Sequence, residues 1–323
     1  MKWSFSEYIT FRECPRKWYF AYKLANANST KVPIRKEAFY LSKLQTIDAW
    51  RGNLVDKVIS KKIVPSLTSG TVISLDQSLS EAKICFDNEL LFAQEKRWRL
   101  EGAKTSDDNY VALKGLEKED TGELLEQAWI DVETAITNLY QMPEIWDLLT
   151  TASYLKPQER LSFYHYENYV NCMPDLILLF SNEDPVLVDW KVHKYGVKDY
   201  RQQLALYALA LTQSSFGKKY PMELAGVQPV DVRLREIQLL TKKVHPHELI
   251  DFEITETKNL ISSSARKMEL VLADFDKDFT YLDVPTTEYA EKCQRCSFEP
   301  ICQENSKWEK EIVCRESKQI SFL

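Results

Sequence analysis

The apolar positions keep helical spacing through the first half of the chain and turn to strand-like runs in the second. Ser4 and Glu7 stand at capping-box spacing ahead of Tyr8 and Phe11, which predicts a first helix. Pro15 suits the first position of a second short helix carrying Trp18, Tyr19 and Tyr22. Phe39, Leu44, Ile47, Trp50, Leu54 and Val58 recur near the helical period and predict one helix over 34–62, closed by Pro65 and Gly70. From about Leu79 to Leu149 the pattern stays helical, apart from a polar break at 101–109. At Leu161 the period changes. Leu161 to Tyr166 alternates, Leu176 to Phe180 and Pro185 to Trp190 are continuous apolar runs, and all three read as strands. Val197, Tyr200, Leu204, Tyr207, Ala208 and Leu211 mark one face of the next helix. Val230, Val232 and Leu234 alternate as a fourth strand, and 246–272 reads as a helix. Past Val284 the periodicity fades, so something other than a core is expected to hold the tail.

Strands, helix, strand and helix in that order predict an α/β core. The expected division is a helical part at 1–64, a helical insertion at 65–155, a core at 156–283 and a cysteine-bearing segment at 284–323. The insertion carries no chemical motif and reads either as a cover over a cleft or as plain scaffold. With 323 residues, 44% apolar and 28% charged, the composition is that of a globular protein, and only 8 glycines suit a helix-rich one. No apolar run approaches the roughly 20 residues that span a bilayer, and Met1-Lys2-Trp3-Ser4 lacks a signal-peptide core, so the expectation is a cytoplasmic protein with no membrane partner. The net charge of -6 argues against whole-surface attraction to a polyanion and leaves room for a local basic groove. Candidates for it are Arg12, Arg16 and Lys17; Lys191, Lys194, Lys198 and Arg201; Lys218 and Lys219; and Lys242 and Lys243, each of which also reads as a solvated face.

The chemistry concentrates in the middle. Met173-Pro174-Asp175 opens one apolar strand, and Asp189-Trp190-Lys191 ends the next. Side chains two apart on a strand share a face, so Asp189 and Lys191 point the same way. Two carboxylates can hold a hard divalent cation such as Mg²⁺ or Mn²⁺, with the Trp190 carbonyl as a further oxygen donor. A neighbouring ammonium can orient an attacking water and stabilise charge developing on a phosphate. An Asp-x-Lys triplet is common by chance; the apolar strand before it and the spaced Pro-Asp give it weight. Gln203 and Tyr207, four apart, share one helix face, although Tyr207 also fits a core position.

These residues resemble the PD-(D/E)XK nuclease superfamily, in Pro174-Asp175 and then Asp189-Trp190-Lys191. Gln203-Leu204-Ala205-Leu206-Tyr207 is similar to the Q-x-x-x-Y helix that RecB-like exonuclease domains and the related CRISPR-adaptation nucleases carry after the D-x-K strand. The resemblance implies a restriction-endonuclease-like core, a mixed central sheet flanked by helices, around the inserted helical subdomain. It implies a metal-dependent DNA nuclease of repair, recombination or defence, acting on single-stranded or end-exposed DNA, with Asp175, Asp189, Lys191, Gln203 and Tyr207 as catalytic residues. The family usually places a histidine ligand in an early G-x-x-x-H helix, where this chain has Gly52-Asn53-Leu54-Val55-Asp56. Aspartate can serve as a harder ligand there. It can also mark altered activity, so the alternative expectation is a weak or inactive nuclease-fold DNA-binding subunit of a repair complex. His165 and His193 lie near the motif, His193 reading as a groove residue rather than a substitute ligand, and Glu159 and Glu167 are weaker ligand candidates. No helicase motif is present, so any unwinding is expected from a partner helicase or other complex subunit.

Seven cysteines without an export signal argue against structural disulfides. Cys293-Gln294-Arg295-Cys296, then Cys302, suit zinc as well as iron, with Cys14 as the fourth member. Cys14-Pro15-Arg16 near one end, followed by Trp18-Tyr19-Phe20, and C-x-x-C-x5-C near the other resemble the iron–sulfur staple of AddB-type and CRISPR-adaptation nucleases. The resemblance implies a 4Fe-4S cluster on Cys14, Cys293, Cys296 and Cys302 and an iron–sulfur-stapled C-terminus. Joining Cys14 to Cys293 across 278 intervening residues costs roughly 5 kcal/mol of chain entropy, which metal–thiolate bonds can offset. Cys85, Cys172 and Cys314 read as ordinary free cysteines.

Overall fold

The computed structural model describes residues 1–29, 32–193, 201–214, 222–273 and 281–302. At its centre lies a mixed sheet in the order β10-β9-β8-β7-β4, formed by Lys243–His247, Arg233–Gln238, Val186–Lys191, Leu176–Leu179 and Tyr154–Pro157. β8 pairs antiparallel with β7 and parallel with β9, while β4 and β10 close the two edges antiparallel.

Both faces of this sheet are covered, which explains the continuous apolar runs in β7 and β8. Leu176, Leu178, Val186, Val188, Trp190 and Ile237 face one way and share a hydrophobic cluster with Trp50, Leu54, Phe86, Val132 and Ile145. Those residues come from α4 (Ile47–Val58), α6 (Leu75–Gln94), α7 (Thr121–Tyr140) and α8 (Pro143–Thr151). The helices of the 65–155 stretch are thus packed on the sheet itself. Ile177, Leu179, Leu187 and Leu234 face the other way, against α9 (Arg201–Gln213) and α10 (Asp251–Ala273). A small sheet, β1-β6-β5, made of Lys2–Ser4, Asn168–Cys172 and Leu161–His165, completes that side.

Several expected elements change. The helix expected over 34–62 is two, α3 (Pro33–Lys43) and α4, because Leu44–Gln45 forms a strand, β2, beside Ala112–Leu113, β3, and the Thr46 hydroxyl caps α4 by accepting from the Ala49 amide. The fourth strand begins at Arg233, since Pro229–Asp231 forms a tight turn of helix. The helix expected from 246 starts at Asp251; before it, Lys243–His247 pairs with β9 as an edge strand, where Pro246 is tolerated. β1, β4 and β6 had no period of their own to reveal them. The capping box at Ser4 is half realised in α1 (Phe5–Glu13). Ser4 accepts from the Glu7 amide, but the Glu7 carboxylate is buried, taking a hydrogen bond from Trp18 Nε1 at 2.9 Å and an ion pair from Lys23.

The tail is the clearest correction. Phe298 and Ile301 are buried in a cluster with Phe20, Leu24, Ile34, Ala38, Leu41 and Tyr281, so a small core does hold residues 281–302 against the N-terminal helices. Arg16, of the short helix α2 (Pro15–Tyr19), is also buried there. It donates to the carbonyls of Val284 at 2.9 Å and Leu282 at 2.8 Å. Replacing Arg16 with alanine leaves those acceptors unsatisfied, and is expected to destabilise the protein by roughly 3 kcal/mol and to expose the tail to proteases. Thermal unfolding and limited proteolysis check this; an unchanged digestion pattern would contradict it. No helix among the described residues is long and apolar enough to cross a membrane.

Candidate active site

The register of the central sheet brings the sequence candidates together. Leu176 pairs with Val188, so one step further Asp175 falls opposite Asp189. An Asp175 carboxylate oxygen, Oδ2, accepts from the Trp190 amide at 2.8 Å, which fixes the carboxylate across the two strand ends. Asp189 is 2% exposed and forms an ion pair with Lys191 on the same face.

Asp56 arrives from α4. Its Oδ2 accepts from Gln158 Nε2, while Oδ1 is buried with no hydrogen-bond partner. Gln158 sits in the turn after β4, and its backbone amide donates to the Asp175 backbone carbonyl at 3.0 Å, so one residue ties the Asp56 carboxylate to the strand end that carries Asp175. The helix that carries Asp56 is itself anchored to β8. Buried Arg51 donates to the Val192 carbonyl at 2.8 Å and to Asp131 of α7 at 2.5 Å.

Three carboxylates in one low-dielectric place resist ionising together. Burial, then the charges of Asp189 and Asp56, hold the Asp175 carboxyl well above the ordinary range. Burial also raises Asp189, with Lys191 opposing it. Asp56 is pushed up to about 6, by burial first, with the Gln158 hydrogen bond working against that and the charge of Asp189 adding to it. Three carboxylates beside the Lys191 ammonium leave such a site short of positive charge. Its oxygen donors and the open Asp56 Oδ1 suit a hard divalent cation, with Asp56, Asp175 and Asp189 as the holding residues.

On α9 the Gln203 side chain donates to the Tyr207 hydroxyl at 2.5 Å. Tyr207 is buried, and burial together with the charges of Asp189 and Asp175 pushes its hydroxyl far up. The hydroxyl is therefore neutral and adjoins the carboxylates. Gln203 and Tyr207 also line a groove of about 1530 Å³, walled by Lys2, Arg12, Lys17, Arg160 and Lys292. Glu13 pairs with one of these, Lys17, and Glu7 pairs with Lys23 from outside the lining, which leaves four cations in excess. The acidic chain thus has a locally basic groove, linked to its carboxylates through Tyr207.

Other candidates lie elsewhere. The His165 ring lies tilted against that of Tyr166 with centroids 4.7 Å apart, Glu159 pairs with Lys156, and Glu167 occupies the β5–β6 turn. His193 lies near enough to Asp189 to favour its ionised form. Arg16 is turned into the tail cluster, away from the groove, and Lys194, Lys198, Lys218, Lys219 and Cys314 lie outside the described residues.

Sequence reasoning missed Gln158, Arg51 and Glu236. Glu236, on β9, pairs in register with Asp189, is 4% exposed and accepts from Gln238 at 3.0 Å. Its one legible sign was its parity with Leu234 along the strand; Gln158 stands in a turn and has no pattern at all.

A second constellation sits between the chain ends. Cys14, Cys293, Cys296 and Cys302 all line one cavity of about 330 Å³, flanked by Phe20, Phe298, Arg16, Lys17 and Lys292. The Cys14 sulfur accepts from the Lys17 amide at 3.4 Å, and burial raises the Cys296 and Cys302 thiols. The donor set suits a thiolate-bound metal, and the flanking cations suit the charge it would carry. The donors are not drawn together: among the described residues no three Cys, His, Asp or Glu side chains already stand at metal-ligating spacing, here or at the carboxylates.

No curated protein matches the chain. Among solved structures, one from Eubacterium rectale described as a candidate exonuclease aligns at 11% identity over 78% of this chain and 86% of its own, with a TM-score of 0.31. VC1899 from Vibrio cholerae aligns at 11% identity over 69% of this chain and 56% of its own, with a TM-score of 0.22. The family comparison spans residues 2–303 and with them every described site residue above: the chain belongs to the PD-(D/E)XK nuclease superfamily.

Proposed function

We propose that the chain is a metal-dependent nuclease that hydrolyses DNA phosphodiester bonds, in the manner of RecB-like exonuclease domains. The observation that carries this reading is the set of three raised carboxylates beside a lysine, joined through Tyr207 to a basic groove that Tyr207 lines. A bound Mg²⁺ or Mn²⁺ would supply a nucleophile at neutral pH and neutralise phosphate charge. The protein's own residues do the rest. Asp175 and Asp189, from two strand ends, and Asp56, from the helix, would hold the cation, with the Trp190 carbonyl as an additional donor. Lys191, held by Asp189, orients the attacking water and faces the charge that develops on the scissile phosphate. Tyr207 and Gln203, linked to one another, place the strand at the mouth of the groove. Any unwinding comes from a partner such as a helicase.

Incubation of the purified protein with end-labelled DNA and Mg²⁺ or Mn²⁺ is the test. Products that disappear with chelator support the reading; an inert protein with folded spectra supports the alternative, a DNA-binding subunit that has lost cleavage.

The four cysteines are read as ligands of a 4Fe-4S cluster of the AddB type, joining the first helices to the tail across the shared cavity. Its role is structural, as a second fastening beside Arg16 and the Phe298–Ile301 cluster. Cys14→Ser is expected to lose bound iron and visible absorbance and to loosen the tail, while Mn²⁺ binding at the carboxylates persists. Metal analysis after anaerobic purification checks this, and wild-type protein holding zinc without iron would contradict it.

A further inference from the structure

The small sheet β1-β6-β5 has one buried and one open face. Trp3, Val170 and Phe163 point into the core, at 1%, 0% and 4% exposure. On the outer face the register sets Lys2 beside Tyr169 and Tyr169 beside Tyr164, with Ser4 beside Asn171 two residues along. Lys2, Ser4, Tyr169 and Asn171 line the basic groove, so this face forms part of its wall.

Two aromatic side chains of this hairpin are left largely open to solvent. Tyr164 is 72% exposed and Tyr166 82%, and neither ring is in the core. The Tyr164 ring lies 5.1 Å from that of Tyr169, extending the groove wall outward along the hairpin. Tyr166 occupies the turn at φ +50°, a left-handed conformation in which a bulky side chain is disfavoured. Burial does not repay that strain. A backbone outlier carrying an exposed ring, in the turn that leads to groove-lining Tyr169, points to use of the ring.

We propose that this face is a stacking platform for unpaired nucleobases. Phosphates run along Lys2 and Arg160 while bases stack on Tyr164 and Tyr169, with Tyr166 at the rim. The proposal rests on the nuclease reading and gives its substrate a form: single-stranded nucleic acid, led to the groove end where Gln203 and Tyr207 stand. A duplex hides its base faces, whereas every unpaired base offers one, so stacking of this kind is tolerant of sequence and selective for single strands. The open sheet bearing aromatics beside cations uses the same physics as other sheet platforms that read splayed bases.

The test is fluorescence anisotropy of a labelled oligothymidylate and of a blunt duplex, with full-length protein in chelator so that nothing is cut. Tyr164→Ala and Tyr166→Ala are each expected to weaken single-strand binding about fivefold or more and to leave duplex binding unchanged. Tyr164→Phe and Tyr166→Phe, which keep the stacking face, are expected to bind as wild type. Both positions are exposed enough that the alanine proteins should fold, which circular dichroism checks. Equal single-strand affinity in the alanine proteins, equal losses on duplex, or no rescue by phenylalanine each overturn the proposal. A wild type that cuts duplex yet fails to bind the oligothymidylate overturns it while leaving the nuclease reading standing. A wild type that neither binds nor cuts overturns both.

Discussion

Asp175→Asn is expected to slow DNA cleavage by about a thousandfold and, in metal-free protein at neutral pH, to raise the melting temperature. The two effects have one cause. Asp175 is the carboxylate that burial and its two neighbours make hardest to ionise, so it holds its place at a cost to the fold. Asparagine keeps the shape and still accepts from the Trp190 amide through its carbonyl. It removes a charge that the resting protein is better without and that a bound cation requires. Loss of one preorganised electrostatic group lowers turnover by about a hundred- to a thousandfold, and a cation ligand belongs at the upper end. Relief of repulsion worth about 1 kcal/mol would raise the melting temperature by roughly 2–4 °C. A merely structural Asp175 would show the reverse, a lower melting temperature with activity reduced in proportion to unfolding. Single-turnover cleavage and differential scanning calorimetry separate the two.

The second large effect is the dependence of stability on pH and metal. Asp56 is raised from 3.8 to about 6 in the folded protein, so its contribution to stability is fully present below the unfolded value and lost as pH rises through about 6. That rise corresponds to roughly 3 kcal/mol. Metal-free protein should therefore lose stability between about pH 4 and pH 7, and the raised carboxyls of Asp175 and Asp189 act in the same direction. Mn²⁺ reverses the trend, because it binds the ionised carboxylates and displaces protons. At a hundred times its dissociation constant a ligand adds about 2.7 kcal/mol. The melting temperature is thus expected to rise on adding Mn²⁺ at pH 8 and to change little at pH 5. Melting curves with and without Mn²⁺ at the two pH values decide it; an equal shift at both would place the metal away from these carboxylates.

Much of this centre was legible in the sequence because it depends on strand parity. Asp189 and Lys191 share a face whenever 186–191 is a strand, and the apolar run before them made that strand visible. Gln203 and Tyr207 followed in the same way from helical spacing. What stayed hidden depends on three-dimensional pairing. Gln158 joins Asp56 to Asp175 from a turn without periodicity, and Glu236 enters the site only because β9 lies parallel to β8 in that register. The break at Leu44–Thr46 was masked by apolar spacing that continues unchanged across it, and the edge strand Lys243–His247 by a proline that suggested a helix start. The tail was misjudged because Phe298 and Ile301, two residues without a period, reach a cluster made by distant helices.

On the proposed reading the Asp189–Lys191 pair serves hydrolysis and is more than an internal ion pair. Mn²⁺ binding and cleavage of end-labelled DNA, measured on the same preparations of wild type and Lys191→Ala, test this. Both proteins are expected to bind Mn²⁺, since the carboxylates remain, and cleavage by the variant is expected to fall about a thousandfold. Cleavage by Lys191→Ala at the wild-type rate, or a wild type that binds Mn²⁺ and leaves DNA intact, would contradict it.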